Sequence, residues 1–202
     1  VDSIPDGIPH ISDERLDEVG KAAKERDLRM VAHIGTTEDA LDAGRAGASA
    51  WIHGVYRERI PDESIAALAK FDIPMVPTLV VSERYAALTE RQPYVTTRLE
   101  RETIDADVLA KLSDPPLDTP VAKKFGSHME LLARERENAK DNVRRLHAAG
   151  VTILAGSDTQ AHVFPGSALH RELELLVDAG LTPAEAIRAA TISPARFLTR
   201  KQ

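Results

Sequence analysis

The stretch RMVAHIGTTEDALDAGRAGASAWIHG, residues 29–54, decides the fold class of this chain. It begins and ends with a short apolar run, RMVAHIG and ASAWIHG, and the polar segment between them has the residue spacing of a helix. Thr36 or Thr37 can cap that helix, which we expect over about residues 38–46. The stretch therefore predicts a β-strand, an α-helix and a second β-strand in succession.

The same alternation continues on both sides of this unit. Apolar residues at helical spacing predict helices over about 13–27, 61–70 and 127–149. Two further apolar runs, IPMVPTLVV at 73–81 and VTILAGSDT at 151–159, predict a third and a fourth strand. The sequence TPAE at 182–185 supplies a cap, a proline at the first helical position and a glutamate at the third, so another helix begins there. Ser193-Pro194 repeats the cap and proline for a last helix.

Strands that alternate with helices pair in parallel through right-handed crossovers. The four runs are apolar almost throughout, as expected for strands that are covered on both faces. We therefore expect one α/β domain over residues 1–202 with about four parallel strands. A polar segment at about 82–124 interrupts the alternation, and we interpret it as a helical or irregular insertion that could form a lid.

Composition excludes several functional classes. The chain has 202 residues, a net charge of -6 and no cysteine, so disulfides and thiolate metal sites are excluded. An acidic chain with only 4% aromatic residues lacks the basic surface and the stacking platform of a nucleic-acid binder. No apolar run reaches the length of a membrane span, and the first residues lack the features of a signal peptide. We expect a cytoplasmic protein that does not associate with membranes.

Three of the four apolar runs end in a side chain with metal or proton chemistry. His33 closes the first run, His53 the second and Asp158 the fourth. In an α/β barrel the carboxyl ends of the strands meet on one face, so these residues can converge there. Two imidazoles and a carboxylate suit a divalent ion such as Zn²⁺. Each residue also has a purely structural interpretation, a histidine bonded to backbone or an aspartate that caps a turn, and spacing alone does not decide between the two.

The segments VAHIG, WIHG, VPTLVV and LAGSDT, followed by GSALHRELELLVDAGLTPAEAIRAATISPARFL, resemble the amidohydrolase superfamily. The nearest branch is similar to the imidazolonepropionase-like and Xaa-Pro dipeptidase-like metal-dependent hydrolases. The resemblance covers nearly the whole chain except about 82–124. It implies that His33 and His53 bind a divalent metal, with zinc the first choice, and that Asp158 binds metal and is the general base.

The resemblance also implies that the chain is incomplete. The family's His-x-His pair on strand one does not occur in this sequence. The bridging lysine or glutamate of strand four would precede Val1, and the chain ends at Gln202 without the family's β-sandwich. We therefore expect the C-terminal half of a TIM-like (β/α)8 metal-dependent hydrolase barrel, strands five to eight. A missing N-terminal half or self-association would complete the barrel.

Further polar residues are candidates for substrate contacts. Tyr56 and Arg57 follow His53 in a loop, and the resemblance places His162 near the active site. His10 lies in a loop on the same side of the barrel and is a weaker candidate. Other residues are assigned to structural roles, namely packing for Trp51, a place within a helix for His170, and a solvated helix face for His128 and His147.

The resemblance implies a hydrolase for C–N bonds of cyclic amides or small peptide-like substrates, weakly active as this fragment. The partner is then a small-molecule substrate. Two alternatives remain open on sequence grounds. One is a non-catalytic half-barrel that serves in assembly or interaction, and the other is a barrel enzyme that uses His and Asp without a metal.

Overall fold

Three short parallel strands form the sheet at the centre of the computed structural model, which describes residues 10–92, 95–113, 118–159 and 163–199. The strands are β1 (Val31–His33), β2 (Ala50–Ile52) and β3 (Met75–Val76), in the spatial order β1-β2-β3. Ala32 pairs with Trp51, and Trp51 pairs with Met75. The strand-helix-strand unit predicted from residues 29–54 is confirmed.

Ten helices surround the strands within the described residues. They are α1 (Asp13–Glu25), α2 (Thr37–Arg45), α3 (Asp62–Ala69), α4 (Leu79–Thr89), α5 (Arg98–Thr103), α6 (Ala106–Ser113), α7 (Pro120–Ala148), α8 (Ser167–Asp178), α9 (Pro183–Ala190) and α10 (Ile192–Thr199). None of the helices in these segments combines the length and the apolar character that crossing a membrane requires.

Two of the three predicted helix caps are present. Thr36 accepts a hydrogen bond from the backbone N–H of Asp39, whose carboxylate accepts one from the backbone N–H of Thr36 in return. Thr182 and Glu185 make the same reciprocal pair, with Pro183 at the first helical position. The last helix begins at Ile192, one residue before the predicted cap.

The third apolar run is a strand only at its beginning. The prediction of a strand over 73–81 is wrong from Pro77 onward, because Pro77 has no N–H to donate and Thr78 adopts a left-handed backbone conformation with φ 50°. The apolar residues that follow, Leu79, Val80 and Val81, are buried in the first turn of α4.

The fourth run contributes a single bridge instead of a strand. Met75 pairs with Ile153 in parallel, since Met75 N–H donates to the carbonyl of Thr152 at 2.9 Å and Leu154 N–H donates to the carbonyl of Met75 at 2.8 Å. The next N–H, that of Ala155, donates to Ala189 of α9, so the chain leaves the sheet there. The described sheet therefore has three strands and one bridging segment.

The segment at 82–124 is mostly helical where it is described. It contains most of α4, all of α5 and α6, and the start of α7, and α4 packs on α7. Glu100 of α5 is buried, and its carboxylate accepts a hydrogen bond from the Ser167 hydroxyl at 3.1 Å. This contact anchors the segment to α8. Its role as a lid stays a prediction.

The main core lies between the sheet and its helices. Trp51 is 1% exposed, and its indole N–H donates to the carbonyl of Ala40 at 3.0 Å. The packing role predicted for Trp51 is thus confirmed. A buried indole whose N–H is bonded fixes the position of β2 against α2.

Candidate active site

The carboxyl ends of the strands meet on one side of the sheet. His33 is the last residue of β1, His53 follows β2 directly, and Thr78 follows β3 after one residue. Asp158 lies five residues beyond Ile153, the residue that bridges to β3. Parallel strands place the residues that follow them at the same edge, so the topology alone brings these four side chains together.

A cavity of about 310 Å³ opens at this edge. It is lined by His33, His53, Tyr56, Pro77, Thr78, Val81, Ser82, Tyr85, Phe125, His128, Leu132 and Asp158. The walls come from the strand ends, the loop after β2, and helices α4 and α7. Four of the six residues predicted as site residues line it together, namely His33, His53, Tyr56 and Asp158.

The two histidines and the aspartate are neighbours in this cavity. The ring centroids of His33 and His53 are 4.3 Å apart, with an angle of 60° between the ring planes. Nε2 of His53 lies 4.0 Å from Oδ2 of Asp158. The Asp158 side chain is 44% exposed, so its carboxylate is accessible to water from the cavity.

Thr78 holds the other side of the His53 ring. Its hydroxyl oxygen lies 2.7 Å from Nδ1 of His53, within hydrogen-bonding distance. Only one nitrogen of a neutral imidazole carries a proton. The hydrogen bond made by Nδ1 therefore influences whether Nε2 is a proton donor or carries a lone pair that can bind a metal. Thr78 is not among the predicted site residues, because the apolar run at 73–81 predicts that it lies inside a strand.

Backbone strain is concentrated around the cavity. Six non-glycine residues in the described segments have positive φ, and three of them are His53 (φ 71°), Thr78 (φ 50°) and Asp158 (φ 44°). The left-handed conformation is unfavourable for side chains other than glycine, above all for a β-branched threonine. Strained backbone of this kind clusters at functional sites, where the surrounding structure maintains it.

His128 lies in the cavity wall and not on the solvated helix face that its charged neighbours predict. It was assigned to a solvated helix face, but it is 5% exposed and lines the cavity. Its ring makes an edge contact with Tyr56, with centroids 6.0 Å apart. Phe125, His128 and Leu132 recur at intervals of three and four along α7, so a helical face with an embedded histidine was the signal that could have identified it.

Tyr85 is a second cavity residue that is not among the predicted site residues. It lies on α4 and its side chain faces the cavity. Burial raises the pKa of the Tyr85 phenol, and the negative charge of Asp158 raises it further. The phenol is therefore a neutral hydrogen-bond donor in the neutral pH range.

The remaining candidates lie elsewhere. The Arg57 guanidinium sits 5.7 Å from the centre of the Tyr56 ring, outside the cavity lining. The His10 side chain is 55% exposed and its Nδ1 is 3.8 Å from a carboxylate oxygen of Asp39.

His147 is near Glu185, and His170 is exposed on α8. His162 lies outside the described residues.

The donor types around the cavity suit a divalent metal, but the set is incomplete. Two imidazoles and a carboxylate are the ligand types of zinc hydrolases. Across 10–92, 95–113, 118–159 and 163–199, however, no group of three His, Cys, Asp or Glu side chains is arranged to hold a metal ion. The described chain thus supplies two imidazoles with a carboxylate nearby. These are ligand types that bind a divalent metal, but they do not form a full ligand set.

Fold and site together define a βα protein whose candidate active site lies at the carboxyl ends of parallel strands. Residues 5–202 match the profile of the amidohydrolase family. The chain belongs to the amidohydrolase family, and the solved structures that it matches place that family among the TIM-barrel folds. The recognition made from the sequence is confirmed. Among curated proteins, no match to the chain is found.

Solved structures share this fold. The chain is similar to an Xaa-Pro dipeptidase with bound methionine in its active site, at 21% identity and a TM-score of 0.66 over 94% of this chain and 38% of the other. A prolidase complexed with N-methylphosphonate-L-proline matches at 19% identity and a TM-score of 0.64 over 98% and 40%. A. niger ochratoxinase matches at 24% identity and a TM-score of 0.59 over 91% and 34%. The chain spans less than half the length of these relatives.

Proposed function

We propose that this chain carries the C-terminal part of the active site of a metal-dependent hydrolase that cleaves C–N bonds of cyclic amides or small peptide-like substrates. The observation that supports the proposal is the convergence of His33, His53 and Asp158 on one cavity at the strand ends. Two of the matched structures are named an Xaa-Pro dipeptidase and a prolidase, which favours small peptide-like substrates.

A divalent metal, with zinc as the first choice, polarises the substrate carbonyl when it is bound at such a site. His33 and His53 are the residues of this chain that would hold it, and Asp158 is the third donor. The remaining ligands are proposed to come from the N-terminal half of the barrel. This division explains why the described residues contain a partial ligand set.

Asp158 is proposed as the general base. Its exposed carboxylate is accessible to water in the cavity, where it would accept the proton of the attacking water. The same proton then passes to the leaving nitrogen as the C–N bond breaks. Tyr56 is proposed to contact substrate because its buried side chain lines the cavity. Arg57 would act by holding the Tyr56 ring, and the contact from His162 remains a prediction.

The edge of β1 supports the proposal that the barrel is completed by further chain. Among the described strands β1 pairs only with β2, and Val31 of β1 is 54% exposed. An unpaired strand edge of this kind is a surface for association. Either a preceding N-terminal half or a second copy is proposed to cover it. Light scattering tests self-association, since a stable monomer would exclude pairing between copies.

The function is tested by metal content and hydrolysis. The chain is assayed with an Xaa-Pro dipeptide and a cyclic amide, with Zn²⁺ or Mn²⁺ added, alongside Asp158→Asn and the control Asp178→Asn on the outside of α8. We expect weak hydrolysis that depends on metal and falls at least about a hundredfold in Asp158→Asn, since general-base catalysis contributes that much. Hydrolysis that is indifferent to metal and to Asp158 would disprove the proposal.

A further inference from the structure

The first turn of α4 is capped by a residue of another helix. Glu172 of α8 is 0% exposed, and its carboxylate accepts a hydrogen bond from the backbone N–H of Val80, with Oε2 at 2.8 Å from the Val80 nitrogen. Val80 lies in the first turn of α4, where the helix cannot satisfy the backbone N–H groups by itself. A carboxylate at this end also interacts favourably with the helix dipole.

Thr78, the residue that would ordinarily provide this cap, is used elsewhere. A threonine that caps a helix has an extended backbone and accepts a hydrogen bond from the second or third helical N–H. Thr78 instead has φ 50° and ψ 44° and makes no capping hydrogen bond. Its hydroxyl lies 2.7 Å from Nδ1 of His53. The cap from Glu172 therefore leaves the Thr78 hydroxyl to interact with the histidine.

We propose that Glu172 is a positioning residue, which caps α4 from α8 and thereby holds Thr78 in the conformation whose hydroxyl orients His53. In this arrangement the Nδ1–H of His53 donates to Thr78, and Nε2 presents its lone pair to the cavity. Only the consequence for metal and substrate rests on the proposed function. Glu172 itself does not line the cavity, so its effect on His53 is indirect.

The chemistry of the buried carboxyl supports a role of this kind. Burial raises the pKa of Glu172 to about 7, and the N–H groups of Val80 and Leu79 oppose that rise. A buried carboxyl is costly, whereas an apolar side chain would fill the same space on a helix face that already buries Leu175 and Leu176. The capping bond to Val80 is the interaction that an apolar residue could not replace.

Variants of Glu172 and Thr78 separate positioning from folding. Glu172→Met keeps the length and removes the acceptor oxygens, Glu172→Gln keeps one acceptor oxygen, and Thr78→Val removes the hydroxyl while keeping the shape. Glu174→Gln, on the exposed side of the same helix, is the matched control. Thermal unfolding of each variant shows whether it is folded before the site is compared.

The readout is the ¹⁵N NMR spectrum of His53 in the whole chain, with Co²⁺ affinity as the second measurement. We expect the Nδ1–H tautomer in the wild-type chain, in Glu172→Gln and in the control. In folded Glu172→Met and Thr78→Val we expect a mixture of tautomers and a loss of Co²⁺ affinity of about tenfold, as for other residues that orient a metal-ligating histidine.

Two results would overturn the inference. One is a folded Glu172→Met chain whose His53 spectrum matches the wild type, and the other is a wild-type His53 in the Nε2–H form. If Glu172→Met does not fold, Glu172→Asp replaces it, because this variant shortens the side chain by one methylene and withdraws the carboxylate. A folded Glu172→Asp chain whose His53 spectrum matches the wild type would then overturn the inference. A different result would contradict the proposed function alone. In that case the variants change the His53 spectrum as expected, but the wild-type chain neither binds Co²⁺ nor hydrolyses any substrate.

Discussion

The side chain of Asn142 on α7 is hydrogen-bonded to the backbone of Ile60, whose N–H donates to Oδ1 at 2.9 Å. The amide Nδ2 donates in turn to the carbonyls of Val55 and Glu58, at 2.9 and 2.7 Å. Asn142 is 1% exposed, so these bonds are shielded from water. One side chain thus fixes both ends of the loop that follows His53 and carries Tyr56 into the cavity.

Replacement of Asn142 by Ala is expected to lower the free energy of unfolding by about 2–4 kcal/mol, because it leaves several buried backbone groups without partners. Urea unfolding measures this change. Asn138→Ala, one turn earlier on α7, removes only a bond to the side chain of Glu135 and is the matched control, expected to change stability by less than about 1 kcal/mol. Equal losses in the two variants would show that the loop is held by other contacts.

Gly156, two residues before Asp158, is predicted to be required for the correct placement of the Asp158 side chain. A Cβ added at Gly156 would lie 2.6 Å from Cγ1 of Val76 on β3, so either the side chain or the backbone must shift. We expect Gly156→Ala to cost about 1–3 kcal/mol, the usual cost of overpacking, and to weaken hydrolysis by displacing Asp158.

Gly126→Ala is the control for this prediction. Gly126 lies in α7, and apart from its chain neighbours and the nearby backbone of that helix no atom lies within 4 Å of the position of its added Cβ. Alanine is favoured over glycine in a helix interior, so this variant is expected to gain about 0.5–1 kcal/mol. Thermal unfolding compares the two, and a Gly156→Ala chain as stable as the wild type would contradict the crowding argument.

Local sequence signals predicted most of the architecture. Thr36 and Thr182 identified helix starts because a capping side chain acts on neighbours within three residues. His33 and His53 were found because each closes an apolar run, and parallel strands necessarily bring such ends together. These predictions depend on short-range contacts or on topology, and both can be inferred from the order of residues.

The features that were missed depend on contacts between distant segments. The turn from β3 into α4 at Thr78 is stabilised by Glu172, which lies 94 positions later, and the apolar residues after it are compatible with either a strand or a helix. His128 was assigned to solvent because its neighbours on α7 are charged, whereas the face that it shares with Phe125 packs into the cavity. Burial of such residues follows from tertiary packing.

His128 is predicted to affect substrate binding more than chemistry. His128→Phe keeps an aromatic ring against Tyr56 and removes both ring nitrogens from the cavity wall. If substrate bonds to this ring, KM should rise about tenfold, the effect of losing one hydrogen bond of about 1.4 kcal/mol, while kcat and Co²⁺ affinity change little. His147→Phe, farther along α7 beside Glu185, is the control. A fall in kcat at constant KM would assign His128 to the reaction instead.

The stability of the chain is predicted to depend on pH through Glu172. Its pKa is raised from 4.5 to about 7 by burial, and the nearby Glu83 adds to the rise while the N–H groups of Val80 and Leu79 oppose it. The folded chain therefore binds this proton more tightly than the unfolded chain does. The resulting stabilisation is fully present below pH 4.5, decreases between pH 4.5 and 7, and is lost above pH 7.

Glu172→Gln isolates this contribution, because every other titrating group is shared with the wild type. Since one pKa unit corresponds to about 1.4 kcal/mol, the stability of the Gln variant relative to the wild type should increase by roughly 3 kcal/mol between pH 4.5 and 7. Urea unfolding at intervals across this range measures the difference. Glu174→Gln removes an exposed carboxylate paired with Arg171, and its difference from the wild type should vary by less than about 1 kcal/mol. A difference for Glu172→Gln that stays constant with pH would show that the carboxyl remains ionised throughout, and that its bonds to α4 outweigh its burial.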